Sequence, residues 1–252
     1  MKVTGVKFEA VLDQTLNGIK EELKNYKDFD LVIGLPFGAE DENIASLLQS
    51  IDGVLQFWTG RRQLIVCVGE SKARTVLKTI RDGNISHSHI SFLLPEVIEG
   101  RGTAIRAIIE IGKYIDADLL LFDANISELQ EAEIENGWLE RLLVPIQGQY
   151  DLVLGSAGRN LEMSGESYLL TAPVLEMFYG FRVRDPLGGI YGISHDFVEM
   201  LAHEARFWGN YIAGCGIDFW IVTRAVSWNL DICTVNMEGK VKTPPPAVRN
   251  KM

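Results

Sequence analysis

The residues whose types and spacing could do chemistry cluster in two short segments. In Asp118-LLLFDANIS, an apolar run ends with Asp123 and Asn125, separated by Ala124. Side chains at that spacing in a strand point to one side. Hard divalent cations take oxygen ligands, so a carboxylate beside an amide carbonyl can hold Mg2+ or Mn2+ against a diphosphate. The same pair also suits a quieter role, in which Asp123 caps the next segment and Asn125 makes an Asx-turn. In Glu99-GRGTAIRAIIEIGKY, a glycine-rich turn runs into an amphipathic helix carrying Arg101 and Arg106. Backbone N–H groups at a helix start, with an arginine fork beside them, suit a phosphate or a base edge. A flexible turn with a solvated arginine is the competing reading, and for a lone G-x-G it is the commoner one.

The other reactive side chains read as structural. His87 and His89 precede an apolar run without a Cys or carboxylate cluster beside them, so they are expected as loop histidines. His195 and His203 bracket a helical stretch without matching any ligand spacing. Cys67 lies inside an apolar run and is expected in the core.

The elements that must position these groups follow from hydrophobic periodicity. Residues 1–28 predict a peripheral helical lead-in, with Phe8, Val11, Leu12, Leu16, Ile19 and Leu23 on one face. Apolar runs starting at Asp30, Gln63, Ile90, Asp118 and Tyr150 predict five strands. Helical patterns over 40–51, 71–80 and 103–114 alternate with the first four. Such alternation calls for parallel pairing, right-handed crossovers and an α/β sheet covered on both faces. Ligands of such sheets bind beyond the carboxyl ends of the strands. The second half predicts helices over 169–179, 195–203 and 217–228, a short strand after Pro186-LGG and a late strand from Asp231. One domain is expected, with halves over 29–160 and 161–252.

Composition narrows the partners. Charged residues are 23% and hydrophobic residues 47%, ordinary for a globule with a full core. No stretch approaches the ~18–20 apolar residues of a membrane span. The first residues lack a long apolar segment, so no secretory signal is expected. Three scattered cysteines, Cys67, Cys215 and Cys233, argue against a disulfide framework and for a reduced, cytoplasmic location. The net charge of −10 disfavours nucleic acid as a partner.

The order of the motifs is more specific than any one of them. A strand ending in Gly34-Leu35-Pro36, a G-R-G-x-A helix and a strand ending in D-x-N follow one another. After them come Tyr179-GFRVRDPLGGIYGIS, Cys215-GIDFWIVTRAV and Gly239-KVKTP. Together they resemble GT-A glycosyltransferases of the family-2 type, related to mannosylglycerate and glucosyl-3-phosphoglycerate synthases, over roughly residues 29–245. A nucleotidyltransferase would carry G-x-G-T-R directly after the first strand, where this chain has Gly34-LPFGAED. The resemblance implies a three-layer α/β/α fold with a mainly parallel twisted sheet, its half over 29–160 binding the nucleotide sugar and its half over 161–252 the acceptor. It also implies transfer of a hexose from a nucleotide-diphosphate sugar to a small hydroxylated acceptor, of glycerate or phosphoglycerate type. The alternative is a degenerate GT-A domain acting as a nucleotide-sugar-binding or assembly module. Relatives commonly continue with a helical tail that closes the site or builds a dimer, so the resemblance allows a homodimer.

Carried over residue by residue, the resemblance implies that Leu35, Pro36, Glu40 and Glu70 border the nucleotide. Arg101 takes the basic position of a G-K-G-type loop, and Asp123 with Asn125 takes the place of the D-x-D metal motif. Gly188 and Gly189 would let backbone approach the acceptor or the sugar. Asp218 would orient or deprotonate an acceptor hydroxyl, or else serve only as a helix-start carboxylate. Trp208 suits packing ahead of stacking on a sugar ring. Three departures bear on the Mg2+ or Mn2+ cofactor and the site around it. Pro36-FGAED lacks the asparagine of P-x-x-N-E, Asn125 replaces an aspartate, and Lys242 stands where relatives have a metal-binding histidine. An ammonium has no lone pair for a metal. Lys242, with Arg101, Arg106 and Lys240, is therefore expected to supply cationic charge around the cleft.

Overall fold

The computed structural model describes residues 5–41, 43–57, 60–123, 137–159, 166–183, 185–205, 208, 210–214 and 216–241. Strand β1 (Leu31–Phe37) and strand β2 (Gln63–Gly69) are buried at every position. That pattern is what a strand covered by helices on both faces requires. They pair in parallel, with β3 (His89–Leu93) beyond β2 and β4 (Asp118–Phe122) on the other side of β1. Three more strands, β5 (Leu152–Arg159), β6 (Ile190–Ile193) and β7 (Ile232–Val241), complete one sheet of order β3-β2-β1-β4-β6-β5-β7. Strand β6 runs antiparallel to both β4 and β5, so the mainly parallel sheet is reversed at one strand.

Successive residues of each strand feed opposite cores. Val32, Leu64, Val66, Leu119 and Leu121 pack with α1 (Gly5–Leu23), α4 (Arg101–Ile115), α7 (His195–Glu204) and α9 (Ile217–Ser227). Leu31, Ile33, Leu35, Ile65, Cys67 and Leu120 pack on the other face with α2 (Ile44–Leu55), α3 (Arg74–Asp82) and α5 (Trp138–Gly148). The lead-in periodicity is used as expected: Leu12 and Leu23 are buried and Phe8, Val11, Leu16 and Ile19 pack against the same core.

Helix α5 has no counterpart in the sequence reading. Its apolar face, Trp138, Leu139, Leu142, Leu143 and Ile146, is helically spaced, but Pro145 sits inside it. Near the end of a helix, proline removes one backbone bond and is tolerated when packing holds the turn. The stretch expected as a helix over 169–179 is a π-helical segment, Glu166–Thr171, continuing into α6 (Ala172–Tyr179). A single turn, α8 (Asn210–Ala213), precedes α9. Among the described residues, no helix is long and apolar enough to cross a membrane.

Candidate functional site

A cleft of about 480 Å3 opens beyond the carboxyl ends of β1, β2 and β4. Its walls are the Pro36–Asp41 segment, Glu70 and Lys72 after β2, Arg101 and Ala104 of α4, and Asp123 after β4. Four carboxylates, Glu40, Asp41, Glu70 and Asp123, therefore face two cations, Lys72 and Arg101. Burial, and then the nearby Asp123, raise the Asp41 carboxyl above its ordinary range despite the hydrogen bond it accepts from Gly38 N–H at 2.5 Å. The Glu70 carboxyl is raised too, by burial and then by Glu99. Ser71 Oγ donates to Glu99 Oε2 at 2.6 Å and ties the loop after β2 to the turn before α4.

Arg101 is the hub. Its Nε donates to Asp123 Oδ2 at 3.1 Å, while Nη1 and Nη2 grip Asp218 Oδ2 and Oδ1 at 2.5 and 3.0 Å. The fully buried Tyr191, on β6, donates its hydroxyl to Asp218 Oδ1 at 2.8 Å, with the Pro186 carbonyl 3.3 Å away. Burial works against the arginine charge, but Asp123 and then Asp218 more than offset it, so its pKa is raised. Burial and then Asp218 raise the Tyr191 phenol, which stays protonated as a donor. Asp218 accepts from Arg101 twice and from Tyr191 once, which fills three of a carboxylate's roughly four lone-pair sites. In this geometry it holds an arginine, and the role of a base awaiting an acceptor hydroxyl loses its support.

The backbone around Arg101 is equally committed. Gly102 N–H donates to the Gly214 carbonyl at 2.9 Å. A Cβ on Gly102 would overlap the Ile212 carbonyl oxygen, and one on Gly100 (φ +147°) would lie 2.6 Å from the Ala213 oxygen. The two glycines let the start of α4 dock on the end of α8. They are required by that close approach, whereas the sequence alone suggested a phosphate-cradling or flexible turn.

Each residue singled out in the sequence has a definite place or lies outside the described residues. Pro36, Glu40, Glu70, Arg101 and Asp123 line one cleft. Leu35 does not: its side chain is fully buried in the core shared with α2 and α3. Arg106 is a second correction. It is buried beneath α1, where Nη1 and Nη2 bind the Glu9 carboxylate at 2.7 and 2.6 Å and the guanidinium lies over Phe8 and Trp208. Trp208 also meets Trp220 edge to face at 4.9 Å, a packing role. Gly189 (φ +70°) accepts from Asp123 N–H at 3.0 Å, and its own Cβ would come within 3.0 Å of the Asp123 Cβ. Gly188 abuts the Gly155 carbonyl of β5, so the pair lets the turn before β6 pack against β5 and against Asp123 beyond β4. Asn125 and Lys242 lie outside the described residues, as do the side chain of Lys240 and Cys215. Cys67 is a core residue whose thiol burial pushes up to about 12. His87 Nδ1 pairs with buried Asp52 at 2.8 Å. Tyr191 and Asp41 went unnoticed in the sequence. Tyr191 falls in an apolar strand and Asp41 in a loop, and although both lie inside motif segments, neither residue type marked a role there.

The divalent ion implied by the resemblance finds an incomplete donor set. Among the described residues, no group of three or more His, Cys, Asp or Glu side chains is placed to hold a metal. The Asp123 carboxylate already has an arginine N–H on one oxygen. A hard cation needs several oxygen ligands, so the described residues do not form a metal cage.

No protein-family model and no curated protein matches the sequence. Solved structures do match the fold. A mycobacterial protein aligns with TM-score 0.65 at 17% identity, over 90% of this chain and 72% of its own. Glucosyl-3-phosphoglycerate synthase from Mycobacterium tuberculosis, in complex with Mg2+ and uridine diphosphate, aligns with TM-score 0.63 at 18% identity, over 89% and 76%. Mannosyl-3-phosphoglycerate synthase from Rubrobacter xylanophilus aligns with TM-score 0.60 at 17% identity, over 93% and 71%. The chain thus shares the fold of these synthases, an α/β architecture with a mostly parallel seven-stranded sheet.

Proposed function

We propose that this chain transfers a hexose from a nucleotide-diphosphate sugar to a small hydroxylated acceptor of glycerate or phosphoglycerate type. The observation that carries the reading is the meeting of Arg101 and Asp123 in one cleft beyond the carboxyl ends of β1, β2 and β4. Matching structures of this fold have been solved with uridine diphosphate, with uridine-diphosphate-glucose and with phosphoglyceric acid, in complexes that also hold Mg2+ or Mn2+. In transfer, the bond from the anomeric carbon to the diphosphate oxygen breaks as the acceptor oxygen bonds to that carbon, and the acceptor proton passes to a departing diphosphate oxygen or to water. The rate depends on stabilising charge on the departing diphosphate with donors already in place. Of the five N–H groups of Arg101, three are used by Asp123 and Asp218, which leaves two for a phosphate oxygen. Pro36, Glu40 and Glu70 flank the nucleoside, Asp123 the sugar-diphosphate, and the Gly188-Gly189 rim the acceptor side.

A second reading is a domain that binds a nucleotide sugar without turnover, and the commitment of Asp218 to Arg101 and Tyr191 favours it. Thermal shifts with UDP-, GDP- and ADP-sugars, with and without Mn2+, come first. Transfer to glycerate or 3-phosphoglycerate, followed by mass spectrometry, then separates the two. A stabilising nucleotide sugar with a glycosylated product supports the enzyme. Binding without product or hydrolysis supports the second reading, and no shift with any nucleotide sugar defeats both.

A further inference from the structure

We propose that Arg101 is a resident counter-cation of the cleft, holding the cation position at Asp123, and that a divalent ion gains that carboxylate only in competition with it. Three independent features hold the guanidinium there. Asp218 binds it through both oxygens, and Tyr191 fixes Asp218 from a fully buried position. The backbone on either side of Arg101 is docked on residues 212–214, so the arginine is carried on a fixed support. Its Nε–H, the edge left over by the fork, points at Asp123.

The charges explain why such a device is stable. Two carboxylates from distant parts of the chain, Asp123 and Asp218, are only slightly exposed and would repel one another without a cation. A guanidinium supplies that charge together with directed hydrogen bonds, which a hydrated ion would have to bring with it. A second positive ion at Asp123 would sit against Arg101 in a partly buried site, where like-charge repulsion is weakly screened. Asp218 and Tyr191 are then positioning residues that act through Arg101.

The test needs no substrate. Mn2+ alone is titrated into the full chain, and the free ion is followed by electron paramagnetic resonance. The variants are Arg101→Met, Tyr191→Phe and the double variant Arg101→Met/Asp218→Asn, which removes the orphaned carboxylate together with the arginine and so protects the fold. Wild type should bind Mn2+ weakly. Arg101→Met should bind it about tenfold tighter or more, the effect of removing one close unit charge, and the double variant, which removes one charge of each sign, should gain less but still bind more tightly than wild type because the Asp123 carboxylate is released. Tyr191→Phe should fall between. Equal Mn2+ affinity in wild type and both Arg101 variants would overturn the inference, and an unchanged Tyr191→Phe would remove that residue from it. The biological meaning rests on the glycosyltransferase reading, which fails separately: a wild type binding no UDP, GDP or ADP in calorimetry, with or without Mn2+, defeats that reading and leaves the Mn2+ comparison intact.

Discussion

Alanine at two helical glycines should move stability in opposite directions, for a reason visible only in three dimensions. Both Gly53 in α2 and Gly102 in α4 lie inside helices, where glycine costs about 0.5–1 kcal/mol relative to alanine. A Cβ on Gly53 meets nothing within 4 Å, so Gly53→Ala should recover that amount. A Cβ on Gly102 would overlap the Ile212 carbonyl oxygen and lie 2.8 Å from the Ala213 carbonyl. Those are backbone atoms and cannot rotate away. Overpacking typically costs about 1–3 kcal/mol, sometimes more. Separating the segments also breaks the Gly102 N–H bond to Gly214, worth about 1 kcal/mol. After the helix-propensity gain is subtracted, Gly102→Ala should lose about 1–3.5 kcal/mol. At about 2–4 °C per kcal/mol for a chain near this size, Tm should fall by roughly 2–14 °C, while Gly53→Ala should rise by about 1–4 °C. Urea titration and calorimetry on both variants give the comparison. A Gly102→Ala protein as stable as wild type would mean that α4 does not dock on residues 212–214, and the support argued for Arg101 would go with it.

Other outcomes are as specific. Asp41 has its folded-state pKa raised, so its ionisation opposes folding: its stability contribution is full at low pH and is lost as pH rises through that pKa. Asp41→Asn should therefore raise Tm at pH 7, with the gain vanishing towards pH 3; a gain that persists at low pH would contradict the cause assigned. Gly189→Ala must hold alanine at φ +70° against Asp123, and about 1–2 kcal/mol of backbone strain should lower Tm by about 2–8 °C. It should also weaken nucleotide binding in calorimetry. Glu9→Gln leaves Glu110, at 3.8 Å, as the carboxylate nearest the buried Arg106 among the described residues. Losing part of a half-exposed pair should cost about 1–3 kcal/mol in urea unfolding, less than for a fully buried one. Arg106→Met/Glu9→Gln should restore most of that.

Much of the scaffold was legible because its signals are local. Apolar runs such as Leu31–Phe37 and Gln63–Gly69 are buried throughout, and buried parallel strands need that continuity. Helix α5 escaped because Pro145 argues locally against a helix that tertiary packing sustains. The direction of β6 was hidden too, since four residues carry no mark of which neighbours they will join. In the site, Arg101 and Asp123 could be singled out from motif order. Arg101 and Asp218 stand 117 positions apart, and no spacing rule links them or brings Tyr191 between them. Glycines 100 and 102 illustrate the ambiguity best: the same pattern serves a phosphate or a neighbouring backbone, and only the position of Ile212 to Gly214 decides.

Strand β6 has a consequence for how the molecule comes together. It enters late in the chain yet sits between β4 and β5, and β5 hydrogen-bonds only with β6 and β7. A fragment ending at residue 160 would synthesise β5 before either of its neighbours exists. The first four strands can assemble during synthesis, but the sheet stays open at β4 until roughly thirty further residues supply the wedge. Insertion of β6 is then the event that joins early and late chain, and it brings Gly189 to Asp123 in the same step. The cleft is thus completed by closure of the sheet, which couples the integrity of the site to a long-range pairing of the fold.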